Sequence, residues 1–148
     1  MENEESPSPQ KKGMFALSSK ILVVDDMMTI RKMVVKNLTD LGFKNILECS
    51  DGHRAWEALT KAGSDIQLII SDWNMPGCTG LDLLKKVRTS DRFSELPFLI
   101  LTAEAEKGQI LEAVKAGVSN YMIKPLSARI FKQKLEETYE KLFADTLS

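Results

Sequence analysis

The 148-residue chain has few of the residues and motifs that mark disulfide-rich, zinc-binding, membrane or nucleotide-binding proteins. Two cysteines and one histidine are too few for a disulfide framework or for the roughly four ligands of a structural zinc site. No apolar run approaches the roughly 20 residues that span a bilayer, and the first residues do not resemble a signal peptide. The glycine-rich phosphate-binding motifs GxxxxGK(S/T) and GxGxxG are also missing, which argues against a nucleotide site.

The chain has no excess of charge of one sign. It contains 20 basic and 21 acidic residues, and its formal net charge is −1. Such a balance gives no broad attraction to nucleic acid or to a membrane surface. Hydrophobic residues make up 43% of the chain, which is typical of a globular protein. We therefore expect a cytoplasmic protein with reduced cysteines that binds neither nucleic acid nor membrane.

The first residues differ in composition from the rest of the chain. They are polar and contain Pro7 and Pro9, which predicts a flexible polar N-terminal tail over residues 1–18 and one folded domain over residues 19–148. Within the tail, residues 14–17 (Met-Phe-Ala-Leu) are apolar and have two interpretations. They rest on the domain, or they are a docking element for a partner. If the tail is flexible, its removal should leave thermal stability nearly unchanged.

From residue 20 onward, apolar strands alternate with amphipathic helices. The predicted strands cover residues 20–25, 45–50, 66–71, 98–101 and 119–123, and their continuous apolar runs indicate burial on both faces. The predicted helices cover residues 30–41, 52–62, a segment from 79–80 onward, 104–116 and 127–144. On the last helix, Ile130, Leu135 and Leu142 are predicted to face inward. This alternation predicts an α/β domain with a parallel sheet and right-handed crossovers.

Polar side chains stand where four of these strands end. Asp25 and Asp26 follow the first strand, Asp72 the third, Thr102 the fourth and Lys124 the fifth. Each alone has an ordinary interpretation, because Asp often forms a turn or caps a helix and Lys-Pro often marks a turn. Ligands of parallel α/β sheets, however, bind beyond the carboxyl ends of the strands. The coincidence of all five residues at such ends therefore favours a common site.

The chemistry of these residues indicates a metal and a phosphoryl group. Two carboxylates about 4 Å apart repel by roughly 4 kcal/mol at an effective dielectric of about 20, so three need a cation nearby. Mg2+ suits carboxylate oxygens, and the ammonium of Lys124 is a second source of positive charge. Asp72 could then attack a phosphoryl group as a covalent nucleophile, with Thr102 donating a hydrogen bond to a phosphate oxygen.

Taken together, four motifs resemble the receiver domain of bacterial response regulators, in particular the stand-alone chemotaxis type. They are Val-Val-Asp-Asp at 23–26, Ser-Asp-Trp-Asn-Met-Pro at 71–76, Thr-Ala-Glu at 102–104 and Lys-Pro at 124–125. The resemblance covers about residues 19–145. It implies a flavodoxin-like (βα)5 three-layer sandwich with strand order 2-1-3-4-5. It also implies that Asp72 accepts a phosphoryl group from a phosphohistidine of a sensor histidine kinase.

The same resemblance assigns the metal ligands. Asp26 and Asp72 would ligate Mg2+ through their side chains, and Asn74 would do so through its backbone carbonyl. Asp25 would act mainly through a bound water.

Further roles follow from the resemblance for the residues around the phosphoryl group. Thr102 and Lys124 would contact its oxygens, and the Lys124–Pro125 peptide bond would be cis. Asn74 and Glu104 occupy the positions that govern how fast water removes the phosphate, and they match the fast chemotaxis type. Thr102 and Tyr121 would form the switch, with the aromatic ring moving inward as the threonine shifts towards the phosphate.

The function implied by the resemblance is a signalling switch that is not an enzyme beyond removing its own phosphate. The implied partners are a chemotaxis-type sensor kinase and a flagellar motor switch protein, and a dedicated phosphatase is a further candidate. We expect a monomer. Because the chain ends near the last predicted helix, output is expected to be a protein contact of the fourth helix, fifth strand and fifth helix.

Two alternatives remain open at this stage, and one motif departs from the family pattern. The chain could be a phosphate sink without motor contact. It could also be an Mg2+-dependent phosphatase with an Asp nucleophile, although Asn74 stands where such enzymes usually carry a second acid. Cys-Thr-Gly at 78–80 replaces the common Met-Asp-Gly, so Thr79 is expected to cap the third helix and Cys78 to offer an accessible thiol near the site.

Overall fold

A computed structural model describes residues 13–103 and 107–143 as five strands that alternate with five helices. The strands are β1 (Lys20–Val24), β2 (Ile46–Cys49), β3 (Ile66–Asp72), β4 (Phe98–Thr102) and β5 (Asn120–Ile123). The helices are α1 (Met28–Asp40), α2 (Gly52–Thr60), α3 (Gly80–Thr89), α4 (Lys107–Ala116) and α5 (Ala128–Phe143). Each lies within a few residues of its prediction. The predicted first residues of α4, 104–106, lie outside the described part of the chain.

The five strands form one parallel sheet in the order β2-β1-β3-β4-β5, which confirms the predicted order. Burial of the strands explains this arrangement. All residues of β4 are buried, as are four of the five in β1, and such runs need cover on both faces. The α/β class and the three layers are therefore as predicted.

Alternate side chains of the strands build two separate cores. Ile21 and Val23 of β1 pack with buried residues of α1 and α5, while Leu22 and Val24 pack with those of α2, α3 and α4. This follows from the period of two along a strand, which sends successive side chains to opposite faces. The strand ends are thus held in a rigid frame.

The ends of the helices show the expected signals. Thr79 begins α3 with a capping box, in which its hydroxyl accepts from the Asp82 amide and the Asp82 carboxylate accepts from the Thr79 amide, so its predicted capping role is confirmed. Gly42 has φ of +107° just after α1, a conformation that side chains with a Cβ rarely adopt. In the described residues, no helix has both the length and the apolar character that crossing a bilayer requires.

The predicted inner face of α5 is wrong at one position. Leu135 is fully buried and Leu142 half-buried, but Ile130 is 37% exposed and its neighbour Phe131 is fully buried. Residues four apart share a helix face, so Phe131 lies in line with Leu135 and Ile130 does not. The larger aromatic side chain fills the space between α5 and the sheet.

The N-terminal segment that precedes β1 packs against α5. Phe15 is only 6% exposed, and its ring meets the rings of Tyr139 at 5.3 Å and Phe143 at 6.4 Å, in edge-to-face geometry. The Gly13 amide donates to a carboxylate oxygen of Glu140 at 3.4 Å. Of residues 14–17, Met14 and Phe15 rest on the domain, whereas Ala16 and Leu17 are exposed. The flexible tail stays a prediction for residues 1–12, which lie outside the described residues.

Replacing Phe15 should therefore destabilise the domain, contrary to the expectation for a flexible tail. Phe15→Ala removes a buried ring, and we expect the free energy of unfolding to fall by about 3–5 kcal/mol. Leu17→Ala is the matched control, because Leu17 is 51% exposed and should cost roughly 0.5 kcal/mol. Urea unfolding followed by circular dichroism measures both. Equal stability of the Phe15→Ala variant and the parent chain would contradict the packing described here.

Candidate functional site

Three carboxylates converge at the carboxyl ends of β1 and β3. Asp72 is the last residue of β3, and Asp25 and Asp26 directly follow β1, the neighbouring strand, whose Val24 pairs with Ser71. One oxygen from each carboxylate lies within 4.8 Å of the others. Asp25 and Asp72 are buried, whereas Asp26 is exposed. The structure thus brings together the acidic residues that the sequence predicted to meet.

Lys124 reaches the same cluster from the end of β5. Its Nζ lies 3.0 Å from Asp72 Oδ1 and 3.6 Å from Asp25 Oδ2, and its side chain is only 15% exposed. The peptide bond between Lys124 and Pro125 is cis, as the family resemblance implied. Lys124 therefore supplies one positive charge against three negative ones, so the described residues leave the site with a net negative charge.

The contacts of Asp25 test whether a metal ion fits this site. Its Oδ1 accepts from the Met27 amide at 2.9 Å, but its buried Oδ2 has no hydrogen-bond partner among the described residues. The 3.6 Å separation from Lys124 is too long for a hydrogen bond. An unsatisfied buried carboxylate oxygen is costly unless a cation or water satisfies it. The orphaned oxygen and the all-carboxylate donor set both fit a hard divalent cation such as Mg2+.

The local environment changes the protonation of Asp72. Burial raises the pKa of its carboxyl above the usual value, the hydrogen bond from Lys124 opposes this rise, and the charge of Asp25 adds to it. The Trp73 amide also donates to Asp72 Oδ1, at 2.9 Å. Added positive charge at the site would favour the ionised form, which is the nucleophilic one.

The loop after Asp72 is held close to the start of α3. A Cβ added at Gly80 would lie 2.2 Å from the carbonyl oxygen of Asp72, so only glycine allows this approach. The Gly80 amide donates to the Trp73 carbonyl at 2.9 Å, and the Trp73 side chain is buried. The position of Asp72 is therefore fixed by packing on both sides.

The remaining predicted site residues are distributed as follows. Thr102 is the last residue of β4, is buried, and accepts at its carbonyl from the Lys124 amide at 2.8 Å. Its strand lies between those of Asp72 and Lys124. Asn74 is exposed in the loop after β3. Glu104 lies outside the described residues, so its predicted role stays a prediction.

Tyr121 lies on β5, half-buried, beside α4. It lines a cavity of about 680 Å3 together with residues of that helix, Gly108, Ile110, Leu111 and Val114. The ammonium of Lys134 on α5 stands 5.4 Å from the centroid of the Tyr121 ring. The sequence analysis missed Lys134, because contact between helix and strand depends on how α5 packs on the sheet.

Arg31 is a second neighbour of the site that the sequence analysis missed. Its guanidinium donates to the Asp25 carbonyl at 2.8 Å and to the Glu48 carboxylate at 2.9 Å. It therefore ties the chain after β1 to α1 and β2. The sequence offered one signal for this contact. Arg31 lies one helical turn after Met27, the residue that follows the acidic pair and precedes α1.

Cys78 differs from its predicted setting. Cys78 is only 6% exposed, and burial raises the pKa of its thiol, so the prediction of an accessible thiol is wrong. His53, the single histidine of the chain, is exposed at the start of α2 and faces the loop after Asp72. A Cβ added at Gly77 would lie 3.6 Å from His53 Nε2.

The fold and the site together define a class of protein, a doubly wound α/β domain with three acids and a lysine at the carboxyl edge of its sheet. The family model described as "Response regulator receiver domain" matches residues 21–136. The chain belongs to this family, whose members are phosphoacceptor signalling switches that bind Mg2+ at an acidic pocket.

Among curated proteins, the relatives include chemotaxis proteins. The chain is 46% identical to "Chemotaxis protein CheY1" of Helicobacter pylori over 117 residues, which is 79% of this chain and 94% of that protein. It is also 46% identical to "Chemotaxis protein CheY" of Pseudomonas aeruginosa over 123 residues, which is 83% of this chain and 98% of that protein. The relatedness therefore covers the folded domain.

Solved structures show the same similarity. The chemotaxis response regulator CheY4 of Vibrio cholerae superposes with a TM-score of 0.74 at 32% identity, over 82% of this chain and 98% of that one. A response regulator receiver domain protein of Clostridium thermocellum superposes with a TM-score of 0.72 at 26% identity, over 87% and 98%. The chain is thus a receiver domain similar to chemotaxis regulators.

The effect of removing one acid should change with the Mg2+ concentration. Without Mg2+, Asp26→Asn should raise the free energy of unfolding by about 1 kcal/mol, because it relieves repulsion at an exposed carboxylate. At saturating Mg2+ this advantage should disappear, because the ion stabilises the parent chain by binding its folded state. Thermal unfolding with and without MgCl2 measures both effects.

Asp91→Asn is the control for this prediction, since Asp91 is an exposed acid in the loop after α3. Its effect on the unfolding temperature should not depend on Mg2+. If Asp26→Asn and Asp91→Asn respond alike to Mg2+, the acidic cluster is not the cation site.

Proposed function

We propose that this chain is a phosphoacceptor switch of a chemotaxis two-component system and that Asp72 carries the phosphoryl group. One observation carries the proposal. Asp72 ends a buried strand within 4.8 Å of two further carboxylates, and it accepts a hydrogen bond from the Lys124 ammonium at 3.0 Å. Relatives named chemotaxis proteins, at 43% to 46% identity, support the pathway.

In the transfer step, a carboxylate oxygen of Asp72 attacks the phosphorus of a phosphohistidine on a sensor kinase. A phosphorus–oxygen bond forms, the phosphorus–nitrogen bond breaks, and the imidazole leaves with the electron pair and is protonated. Lys124 neutralises charge that develops on the phosphoryl oxygens. The hydroxyl of Thr102, at the adjacent strand end, donates a hydrogen bond to one of these oxygens.

Asp25, Asp26, Asp72 and the carbonyl of Asn74 are the groups that would hold Mg2+. The ion supplies positive charge that offsets the charge of the transferring group and of the three acids. Asp25 contributes mainly through water, in agreement with the orphaned state of its Oδ2. The protein's own part is to fix these oxygens at two neighbouring strand ends.

Phosphorylation would be read out through β4 and β5. Movement of Thr102 towards the phosphoryl group opens space next to Tyr121, whose ring then turns inward. The shape of the surface formed by α4, β5 and α5 changes, and a partner that prefers the new shape binds more tightly. Such coupling is typically about 1–3 kcal/mol, or about 5- to 150-fold in affinity.

Loss of the phosphoryl group returns the switch to its initial state. Water attacks the phosphorus, the bond to Asp72 breaks, and inorganic phosphate leaves. The family resemblance assigns the rate of this step to Asn74 and Glu104, so the domain removes its own phosphate. A dedicated phosphatase is a further candidate partner for this step.

The proposed output partner is a flagellar motor switch protein. Leu111 and Val114 of α4, which line the cavity beside Tyr121, are 54% and 56% exposed. Ile123, two residues after Tyr121 on β5, is 42% exposed. Exposed apolar side chains grouped around a groove are typical of a protein-binding surface. The same surface without a motor partner would leave the phosphate-sink alternative.

Asp72→Asn should abolish phosphorylation by acetyl phosphate with Mg2+, because an amide cannot form the acyl phosphate. Intact mass spectrometry, with loss of the label on hydroxylamine treatment, measures the bond. Asp91→Asn should be labelled as fully as the parent chain. Labelling retained in Asp72→Asn would contradict the assignment, and steady turnover of phosphomonoesters would favour the phosphatase alternative.

Beryllofluoride, which stands in for the phosphoryl group, should increase capture of a flagellar motor switch protein about 5- to 150-fold. Val114→Lys should reduce that capture at least about tenfold, since it places a charge on the proposed surface. Leu17→Lys is the control, because Leu17 is exposed beside Gly42, far along the chain from α4. Equal capture with and without beryllofluoride would favour the phosphate sink.

A further inference from the structure

Lys134 and Tyr121 form a cation–π contact between α5 and β5. The Lys134 Nζ stands 5.4 Å from the ring centroid, within the roughly 6 Å at which a cation is attracted to an aromatic face. The lysine side chain is 30% exposed and the tyrosine is half-buried, so the contact is partly shielded from water.

A hydrogen-bond network that runs from buried Asn120 to exposed Glu137 contacts the lysine. Asn120, which is 4% exposed, donates from Nδ2 to Glu137 Oε1 at 3.1 Å and to Thr138 Oγ1 at 3.1 Å. Glu137 Oε1 in turn lies 3.5 Å from Lys134 Nζ. The hydrogen bond from Asn120 lowers the pKa of Glu137, so this carboxyl stays charged opposite the lysine.

The network closes on the tyrosine itself. Asn120 Oδ1 accepts from the Tyr121 amide at 2.9 Å, so one asparagine orients both the strand residue and the helix pair that faces its ring. The chain of contacts runs from Asn120 through Glu137 and Lys134 to the Tyr121 ring. Two of its members are adjacent on β5 and two are three residues apart on α5.

We propose that Lys134 is a positioning residue that holds the Tyr121 ring in its half-buried orientation and thereby opposes the inward turn. This inference rests on the proposed function, in which phosphorylation draws the ring towards Thr102. When the Tyr121 ring turns inward, it moves away from the Lys134 ammonium. The contact therefore exists only in the state without phosphate. Lys134 and its network thus bias the switch towards the state without phosphate.

Thermodynamic linkage predicts the direction in which Lys134 changes the affinity for a ligand of the other state. A contact that stabilises only the unphosphorylated state weakens binding of any ligand that favours the other state, by the same factor. Removal of the charge at position 134 should therefore tighten binding of beryllofluoride. The expected change is about two- to fivefold, which is the size of a partly exposed cation–π contact.

The experiment is a beryllofluoride titration in saturating Mg2+, followed by Trp73 fluorescence in a Trp56→Phe background. Lys134→Met keeps most of the side-chain length and removes the charge, so it should bind about two- to fivefold more tightly than the parent. Lys134→Arg keeps a cation over the ring and should restore the parent affinity. Lys132→Met removes an exposed charge from the same helix and should change nothing.

A second measurement tests the contact without use of the switch. The ε-methylene protons of Lys134 should show an upfield ring-current shift by NMR, which Tyr121→Phe keeps and Tyr121→Leu abolishes. A merely structural role of Lys134 would lower the unfolding temperature of Lys134→Met and leave its beryllofluoride affinity unchanged.

The possible results separate this inference from the proposed function. If the parent chain does not bind beryllofluoride in Mg2+, the proposed function fails and this inference fails with it. If all variants bind it with equal affinity, or Lys134→Met binds more weakly, only this inference is overturned. Tighter binding by Lys134→Met, with parent affinity in Lys134→Arg and Lys132→Met, supports it.

Discussion

Repulsion among three carboxylates at one sheet edge is the constraint on which the rest of the structure depends. Asp25, Asp26 and Asp72 each place one carboxylate oxygen within 4.8 Å of the other two. Lys124 offsets only part of their negative charge. Side chains free to move would separate. Here they stay together because they follow strands whose interiors are buried on both faces, so the apolar packing of the sheet outweighs an electrostatic cost of a few kcal/mol. The core thus maintains a site that favours added positive charge and can then hold a transient phosphoryl group.

The same frame connects the site to a distant surface. Thr102 and Lys124 end the two strands beyond Asp72, and the second of these strands carries Tyr121 at the groove beside α4. In the proposed mechanism, a change of charge at the strand ends becomes a change of packing at that groove. In the same proposed mechanism, Lys134 stabilises the unphosphorylated state through its contact with the Tyr121 ring. A switch of this kind needs both, because without contacts that stabilise the unphosphorylated state the other state would be populated before any signal arrives.

Several features of the fold could be predicted because they depend on local pattern. The five strand–helix pairs follow from apolar periodicity, and the capping role of Thr79 follows from the residue types at the start of α3. The errors concern packing between elements. Phe131 faces the core in place of Ile130. Packing of Phe15 on the domain was one of two open interpretations, but the sequence did not indicate that α5 would receive its ring. Cys78 is buried because α2 packs against the loop that carries it, since a Cβ on Gly52 would lie 2.5 Å from its sulfur.

The sequence by itself determined the α/β class and the identity of the five strand-end residues. Both depend on short-range order, since a strand's apolar run and the polar residue that stops it are adjacent in the chain. The strand order and the ligand roles came from resemblance to a known family. Only the tertiary structure decided which oxygens approach one another, that Asp25 Oδ2 is left without a hydrogen-bond partner among the described residues, and that Lys134 lies over Tyr121. These facts depend on how far each helix is shifted and rotated on the sheet. Many side chains set that geometry together, and the sequence near any one of them does not encode it.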